Sequence, residues 1–387
     1  MAEFSRMAFA TTRPVPTPPA LEGPPSYTWY GCDLKTGNIV EEVPFVPGGP
    51  HQRVLGAYTS LQGSFAIADA AGDWESATDP GRTMLVCVRD ADEYPLWAGI
   101  VISREGGSAD EMNLGLVTLE GYFDRRFVKD RVSIAQTGQN IILGLAFDAD
   151  SVEGIGITYS AISSAPLHDR TYTADSDQTT YSQMVELMGV EGGPEWTIDV
   201  YWKTSAHTSF EKRLTSDLSI GNNFDVGQTD VNAIFDYPGS LRSYSLLEDF
   251  TSNKGANHVE IFGDGEGATR PSGTPGRDEV SLAAGWPRFE FRQTIAGATN
   301  PATLTSHADA LVAWMGTGAN IFTATADVSV APKIGPDWVL GSYVGMTVYT
   351  SPRHPDGFDI IVRAIGWELD TVGGTVTPLL EEQDLGA

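Results

Sequence analysis

Cysteine, positive charge and long apolar runs are what this chain has least of. Only Cys32 and Cys87 stand among 387 residues. With no clustered histidines beside them they make no zinc-ligand spacing, and each sits in a strand-like run where a reduced, buried thiol is expected. Lys+Arg number 24 against 51 Asp+Glu, a net charge of -27. Such a field repels duplex DNA and anionic membrane, so tight nucleic-acid binding is excluded as the main activity, though a surface past which DNA slides is not. No stretch approaches the ~20 apolar residues of a membrane span. Arg6 and Arg13 flank only Met7 to Thr12, too short for a signal-peptide core, and there is no Asn-x-Ser/Thr acceptor. The chain therefore reads as made in a cytoplasm and not exported as a secretory protein.

Catalytic signatures are missing as well. There is no G-x-S-x-G, H-E-x-x-H, Walker loop or strand-borne G-x-G-x-x-G. His51, His168, His207, His258, His307 and His354 are scattered singly and read as loop or surface residues. Gly263–Asp264–Gly265–Glu266–Gly267 is rich in glycine, but no helix opens after it. Asp175, Asp177, Thr179 and Glu186 fall at calcium-loop positions one, three, five and twelve; position six is Thr180 rather than glycine. A helix cap explains that segment better. Carboxylate pairs such as Asp90 with Asp92 and Glu41 with Glu42 match the density that 51 acids produce, and nothing selects one as a glycosidase dyad. No catalytic, cofactor-binding or metal-binding residue is therefore assigned, and no enzyme activity is expected.

What the chain does have is turn chemistry around short apolar segments. Gly 42 and Pro 23, with 41% hydrophobic residues, argue for many short strands over helical bundles. The length fits about two to three domains. Residues 1–26, carrying Pro14, Pro16, Pro18, Pro19, Pro24 and Pro25, are an extended tail: a disordered leader, or an arm docking on a neighbouring subunit. Residues 27–134 alternate as an antiparallel barrel, with strands around 38–45, 63–68, 83–88, 96–103 and 114–122. A mixed insertion follows over 135–205. It holds a short helix at 139–147 and an apolar stripe, Tyr181, Met184, Val185 and Met188, opened by a Thr180/Gln183 capping box and closed by Gly189. Its strand at 196–203 has Trp196, Ile198, Val200 and Trp202 on one face. Residues 206–317 are read as linking strands (a pair at 246–249 and 257–262), a long loop at 263–277, and a helix from Asn300 and Pro301 to Gly316. A second barrel region and C-terminal tail occupy 318–387.

Two segments rhyme. Val117–Thr118–Leu119–Glu120–Gly121–Tyr122 and Val362–Arg363–Ala364–Ile365–Gly366–Trp367 both read Val-x-x-x-Gly-aromatic. If this marks a duplication, 27–134 and 318–381 are related barrels. The run Trp97–Ala98–Gly99–Ile100–Val101, with Leu116 to Arg126, resembles minor tail proteins of actinobacterial phages. More broadly it resembles the tail hub, or baseplate hub, family of tailed phages and contractile injection machines. The resemblance implies a mainly β (α+β) fold: two tube-like antiparallel β-barrels with an inserted small α+β domain. It implies a structural, non-enzymatic homotrimer in the virion's tail tip, assembled in the host cytoplasm. Its partners would be the tail tube or distal tail protein, the tape-measure protein and tip or fibre proteins. Three chains with two barrels each would make a pseudo-sixfold ring around a channel for genome ejection. Channel-facing residues are then expected to be acidic and small polar. The Pro-rich leader departs from the minimal hub.

Two other readings stand beside this one. A distal tail protein would form a hexamer. A glycan- or receptor-binding β-protein would use Trp29, Trp74, Trp286 and Trp338, which lie next to turn signals, as stacking platforms. The mass of the assembled particle separates all three.

Overall fold

The computed structural model describes residues 23 and 25–381, apart from 162–165, 191, 222–230, 232, 266, 268–269 and 296. The proline-rich arm expected over 1–26 lies almost wholly outside them. In chain order the first body holds β1 (Tyr27–Asp33), β2 (Ile39–Glu42), β3 (Val46–Pro47), β4 (His51–Val54), β5 (Ser60–Phe65), the one-turn α1 (Trp74–Ala77), β6 (Thr83–Arg89), β7 (Tyr94–Gly106) and β8 (Met112–Thr118). All but β4 form one sheet, in the order β2-β1-β6-β7-β8-β5-β3. The insertion follows with β9 (Arg131–Thr137), α2 (Gly138–Asp150), β10 (Ile157–Ala161), β11 (Leu167–Tyr172), α3 (Thr180–Met188), β12 (Glu195–Trp202) and β13 (Phe210–Asp217).

The span 206–317, expected as linkers, divides among three bodies. Strand β13 completes the insertion's sheet, β10-β13-β12. Strands β14 (Ile234–Tyr237) and β15 (Leu241–Asp249) belong to the second curled sheet. Then β16 (His258–Phe262), β17 (Gly276–Arg277), α4 (Glu279–Ala283), β18 (Glu290–Thr294) and α5 (Pro301–Met315) form a second insertion with its own core of Val259, Ile261, Leu304, Ala308 and Met315. The expected pairing of 246–249 with 257–262 is replaced accordingly. Strand β15 pairs with β19 (Ala319–Asp327), and β16 pairs with β17 and β18. The reason is burial: Leu241 and Leu246 point into the barrel, whereas Val259 and Ile261 lie under α5. The chain ends with β20 (Tyr343–Val348), β21 (Phe358–Asp370) and β22 (Thr375–Leu380).

The second sheet runs β14-β20-β21-β22-β19-β15. Take β1 out of the first sheet and the two orders coincide strand for strand: β2 with β14, β3 with β15, β5 with β19, and the meander β6-β7-β8 with β20-β21-β22. Directions agree too. Strand β2 is antiparallel to β1, which is antiparallel to β6, so β2 runs parallel to β6; β14 runs parallel to β20. The outermost strands of each sheet are joined by three residues, Val43–Phe45 in one and Pro238–Ser240 in the other. A link that short spans at most about 14 Å, so each sheet has curled until its edges nearly meet. The Val-x-x-x-Gly-aromatic rhyme does not mark this duplication. Its first copy leaves β8 at Thr118 and enters a 3-10 turn, Leu119–Arg125, whereas its second lies wholly within β21.

Local rules account for the elements. Every residue of β6 is buried because it has a core on each face. Leu85 and Cys87 look into the barrel; Met84, Val86 and Val88 meet the insertion. Gly99 leaves room for the indole of Trp97, which any β-carbon there would strike. Helix α5 begins as expected, with the Asn300 side chain accepting from Ala302 N at 2.9 Å. Helix α3 is capped one residue earlier than expected: Thr179 Oγ1 accepts from Ser182 N at 3.1 Å. Its buried stripe is Thr180, Met184 and Leu187, and Val185 is exposed.

Cys32 and Cys87 are free, fully buried and on opposite faces of the first sheet. Burial pushes both thiols above their ordinary range. In native protein neither should react with a soluble thiol reagent, and both should become titratable in denaturant without reductant. A fast-reacting thiol in the native state, or a missing one after unfolding, would contradict this placement.

Candidate functional site

Between β3 and β5 the chain makes a twelve-residue excursion, and β4 lies at its centre. This tongue leaves the first barrel and adds to the second. Gly366, Trp367, Glu368 and Leu369 of β21 pair with Val54, Arg53, Gln52 and His51. The same stretch of β21 also pairs with β22, so the tongue occupies the β20 side, past the point where β20 ends. One continuous apolar core then runs through both barrels.

Polar clamps fix the joint. Arg53 Nη1 donates to Asp199 Oδ1 at 2.5 Å, and Nη2 donates to Thr197 Oγ1 and the Ile198 carbonyl, both at 2.8 Å. Glu120, buried in the 3-10 turn, lies 3.5 Å from Nη2 and accepts from Ile198 N at 3.0 Å. Burial pulls the Arg53 guanidinium down; Asp199 and Glu120 more than reverse it, leaving it above the ordinary arginine value. Arg363 of β21 grips Glu195 of β12 with two parallel bonds, at 2.6 and 2.5 Å. Arg89 of β6 holds Asp92 by two bonds and donates to the Ile334 carbonyl of the second barrel at 3.1 Å. The first insertion is thus tied to both barrels, and the barrels to each other.

Beside the tongue, His51 is fully buried in a cage of Trp29, Trp97 and Trp367, with ring centroids 5.6–6.0 Å away. Neither ring nitrogen has a hydrogen-bond partner, and burial pulls its pKa down to about 3. His258 is buried as well, against Glu260. The expectation of loop or surface histidines fails for these two because their strands turn the side chains inward, whereas His168, also on a strand, is only half-buried.

The equivalent strands of the two barrels carry equivalent outer faces. On the first, Ser64 faces Asn113 and Gln62 faces Gly115, with Ser103 and Glu105 next on β7. On the second, Ser243 faces Thr325 and Ser245 faces Thr323. Thr325 Oγ1 lies 3.4 Å from Thr377 Oγ1, and Thr377 faces Glu368, which accepts from Gln52 of the tongue at 3.2 Å. The first row is uncharged apart from Glu105; the second is uncharged as far as Thr325 apart from Glu368, and then ends in Asp327, which holds Arg242 of β15 at 2.9 Å.

Several of the other residues singled out by sequence have structural partners. Asp92 pairs with Arg89, and Asp90 accepts from Thr28 at 2.8 Å. Glu41 accepts from the backbone of Glu42. Thr179 is the helix cap, and the glycine-rich run is only partly within the described residues. Among the described residues no group of three or more His, Cys, Asp or Glu is placed to hold a metal ion, and no helix is long and apolar enough to cross a membrane. Of the four turn tryptophans, Trp29 and Trp338 are core and Trp74 is half-buried against Phe65 and Arg104. Trp286 is 48% exposed, its ring 5.9 Å from Phe250.

Comparison with known proteins gives the fold a context. No family model matches the chain, and no curated protein is matched by its sequence. Solved structures do match. The tail protein from Neisseria meningitidis MC58 superposes with a TM-score of 0.51 at 14% identity, over 93% of this chain and 97% of that one. The 43 kDa tail protein of prophage MuSo2 from Shewanella oneidensis gives 0.55 at 10% identity, over 92% and 97%. A chain of the half-lidded Francisella PdpA–VgrG complex gives 0.51 at 7% identity, over 94% of this chain and 58% of that one. This chain is similar to them in fold: mainly β, with two curled half-barrel sheets. None of the three bears on the likeness to actinobacterial phages.

Proposed function

We propose that the protein is a non-enzymatic structural subunit of a phage tail. In this reading it acts as the tail-tip hub: three copies set six barrels in a ring around a channel that joins the tube above to tip or fibre proteins below. The observation that carries the reading is the same strand order twice in one chain, with a tongue from the first barrel completing the second. A sixfold tube is matched by six equivalent barrels, and a threefold tip by three chains. The likeness in fold to proteins described as tail proteins supports the virion tail as its location.

The two small-polar faces belong on the channel wall. Equivalent faces of equivalent barrels take the same position relative to a ring axis, so they form one belt. A belt mainly of Ser, Thr, Asn, Gln and Gly with a few carboxylates, its one arginine, Arg242, neutralised by Asp327, offers DNA few counterion-releasing contacts, and passing DNA is held weakly. The glycan-binding reading loses most of its support, because Trp29 and Trp338 are core residues.

End-on electron-microscopy averages of the assembled particle test this. Six barrel densities around an open channel, with true threefold symmetry, are expected. A particle without a ring, or one with true sixfold symmetry and a single barrel per repeat, would overturn the hub.

A further inference from the structure

The duplication leaves one position filled on the second barrel and open on the first. On β21, strand β20 pairs with 358–363, and the tongue then occupies the same side from 366 to 369. The equivalent strand is β7. Here β6 pairs with 94–100, and Gly81 N adds one bond to the Val101 carbonyl. From Ile102 to Gly106 only β8, on the other side, pairs with β7 among the described residues. Ile102 is 52% exposed at this edge and lines a groove of about 800 Å³ with Ile100, Val117 and Tyr122. A bare strand edge beside an exposed apolar side chain is a template for another strand.

The same correspondence names the occupant. The tongue is the excursion between β3 and β5. Its counterpart between β15 and β19 is the second insertion, residues 250–318. Within one chain the tongue carries the first barrel's belt onto the second. Around a ring, the second insertion stands where it would carry the second barrel's belt onto the first barrel of the next copy. That insertion has what the edge lacks. Strand β18 is the outermost of its sheet, with a free edge among the described residues and four of its five residues exposed. Trp286 and Phe289, just before it in the chain, are exposed at 48% and 46%, and Val280 of α4 at 82%. Arg288 precedes β18 and Arg292 lies on it, both held by Glu260 and Glu290 of the same insertion, and the β7–β8 hairpin presents Glu105, Asp110 and Glu111, so polar groups of both signs are at hand on the two sides.

Resting on the trimer reading, we propose that the open edge of β7 past Val101, with its adjoining groove, receives the second insertion of a neighbouring copy, with β18 as the pairing strand. The contact then repeats between chains the joint that the tongue makes within one.

Ile102→Cys provides the test, because Cys32 and Cys87 are buried and do not compete for label. The variant is labelled with a benzophenone maleimide, assembled from equal parts of isotopically heavy and light protein, irradiated and mapped by mass spectrometry. Heavy-to-light crosslinks into 250–318 are expected. Ile102→Glu should weaken self-association at least 10-fold while leaving the monomer's unfolding midpoint unchanged, since the side chain is half exposed. A particle of three chains whose crosslinks land elsewhere, within the same chain or on residues 1–26, would overturn this contact and leave the trimer standing. A wild-type protein that stays monomeric at every concentration would overturn both.

Discussion

Arg53→Ala should cost about 3–5 kcal/mol of folding stability, because it leaves a buried carboxylate without its counter-charge. Glu120 is 2% exposed, and apart from Arg53 its side chain is held by Ile198 N and, at 3.4 Å, by the Thr197 hydroxyl. Removing the guanidinium also takes the donor from the Thr197 hydroxyl and from the Ile198 carbonyl, both bonded at 2.8 Å. Loss of the cation and both of those bonds is more damaging than loss of the pair as a unit. The double variant Arg53→Met, Glu120→Leu should recover only the part of the loss that comes from the unpaired Glu120 carboxylate, since Ile198 N and the Ile198 carbonyl stay without these partners and Asp199 is left to solvent. Chemical denaturation of wild type and the two variants gives the comparison. A loss below about 1 kcal/mol for Arg53→Ala would place Glu120 in water and detach the tongue from the first insertion.

Acid should weaken the same joint through His51. Its folded pKa is near 3, below the ordinary 6.5, so the folded protein keeps the ring neutral while the unfolded chain takes up a proton. Stability from this group is complete above pH 6.5 and falls as pH drops towards 3. The slope is about 1.4 kcal/mol per pH unit, or roughly 2 kcal/mol between pH 6.5 and 5. Asp370 opposes the shift but is outweighed by burial. His51→Met fills the tryptophan cage with an apolar, adaptable side chain. The variant should match or exceed wild-type stability at pH 7 and lose less between pH 7 and 5, by about the same 2 kcal/mol. Parallel acid sensitivities in the two proteins would show that His51 finds a partner or water in solution.

Much of this architecture was legible because local rules and tertiary structure agree. The meander strands β6, β7 and β8 follow from alternation between turn signals, and α5 follows from Asn300, Pro301 and its apolar stripe. The buried thiols sit where strand-borne cysteines belong. What sequence hid was the joint. His51–Gln52–Arg53–Val54 has three polar side chains in four and no apolar alternation, so it reads as loop. It is a strand because partners remote in sequence supply what those groups need: β21 the ladder, Asp199 and Glu120 the counter-charges, three indoles the cage. The duplication was hidden for a related reason. Strand order is conserved between the barrels, but one copy carries the additional β1 and the other a 69-residue insertion, so the sequences fall out of register. The short rhyme around Gly121 and Gly366 pointed to the right conclusion through residues that adopt different backbones. The matched polar faces have no signature in the sequence, because serine, threonine and asparagine on alternate strand positions mark any solvated face.

The number of chains in the assembled particle tests the central claim most directly: that each chain supplies two equivalent elements of one ring. Native mass spectrometry of the purified protein, over a range of concentrations spanning assembly, counts them. Three chains of 41.5 kDa are expected, with no stable six-chain species. Six chains would assign one ring position to a whole chain and make the second barrel an appendage, and a monomer at every concentration would leave the duplicated barrels without a ring to build.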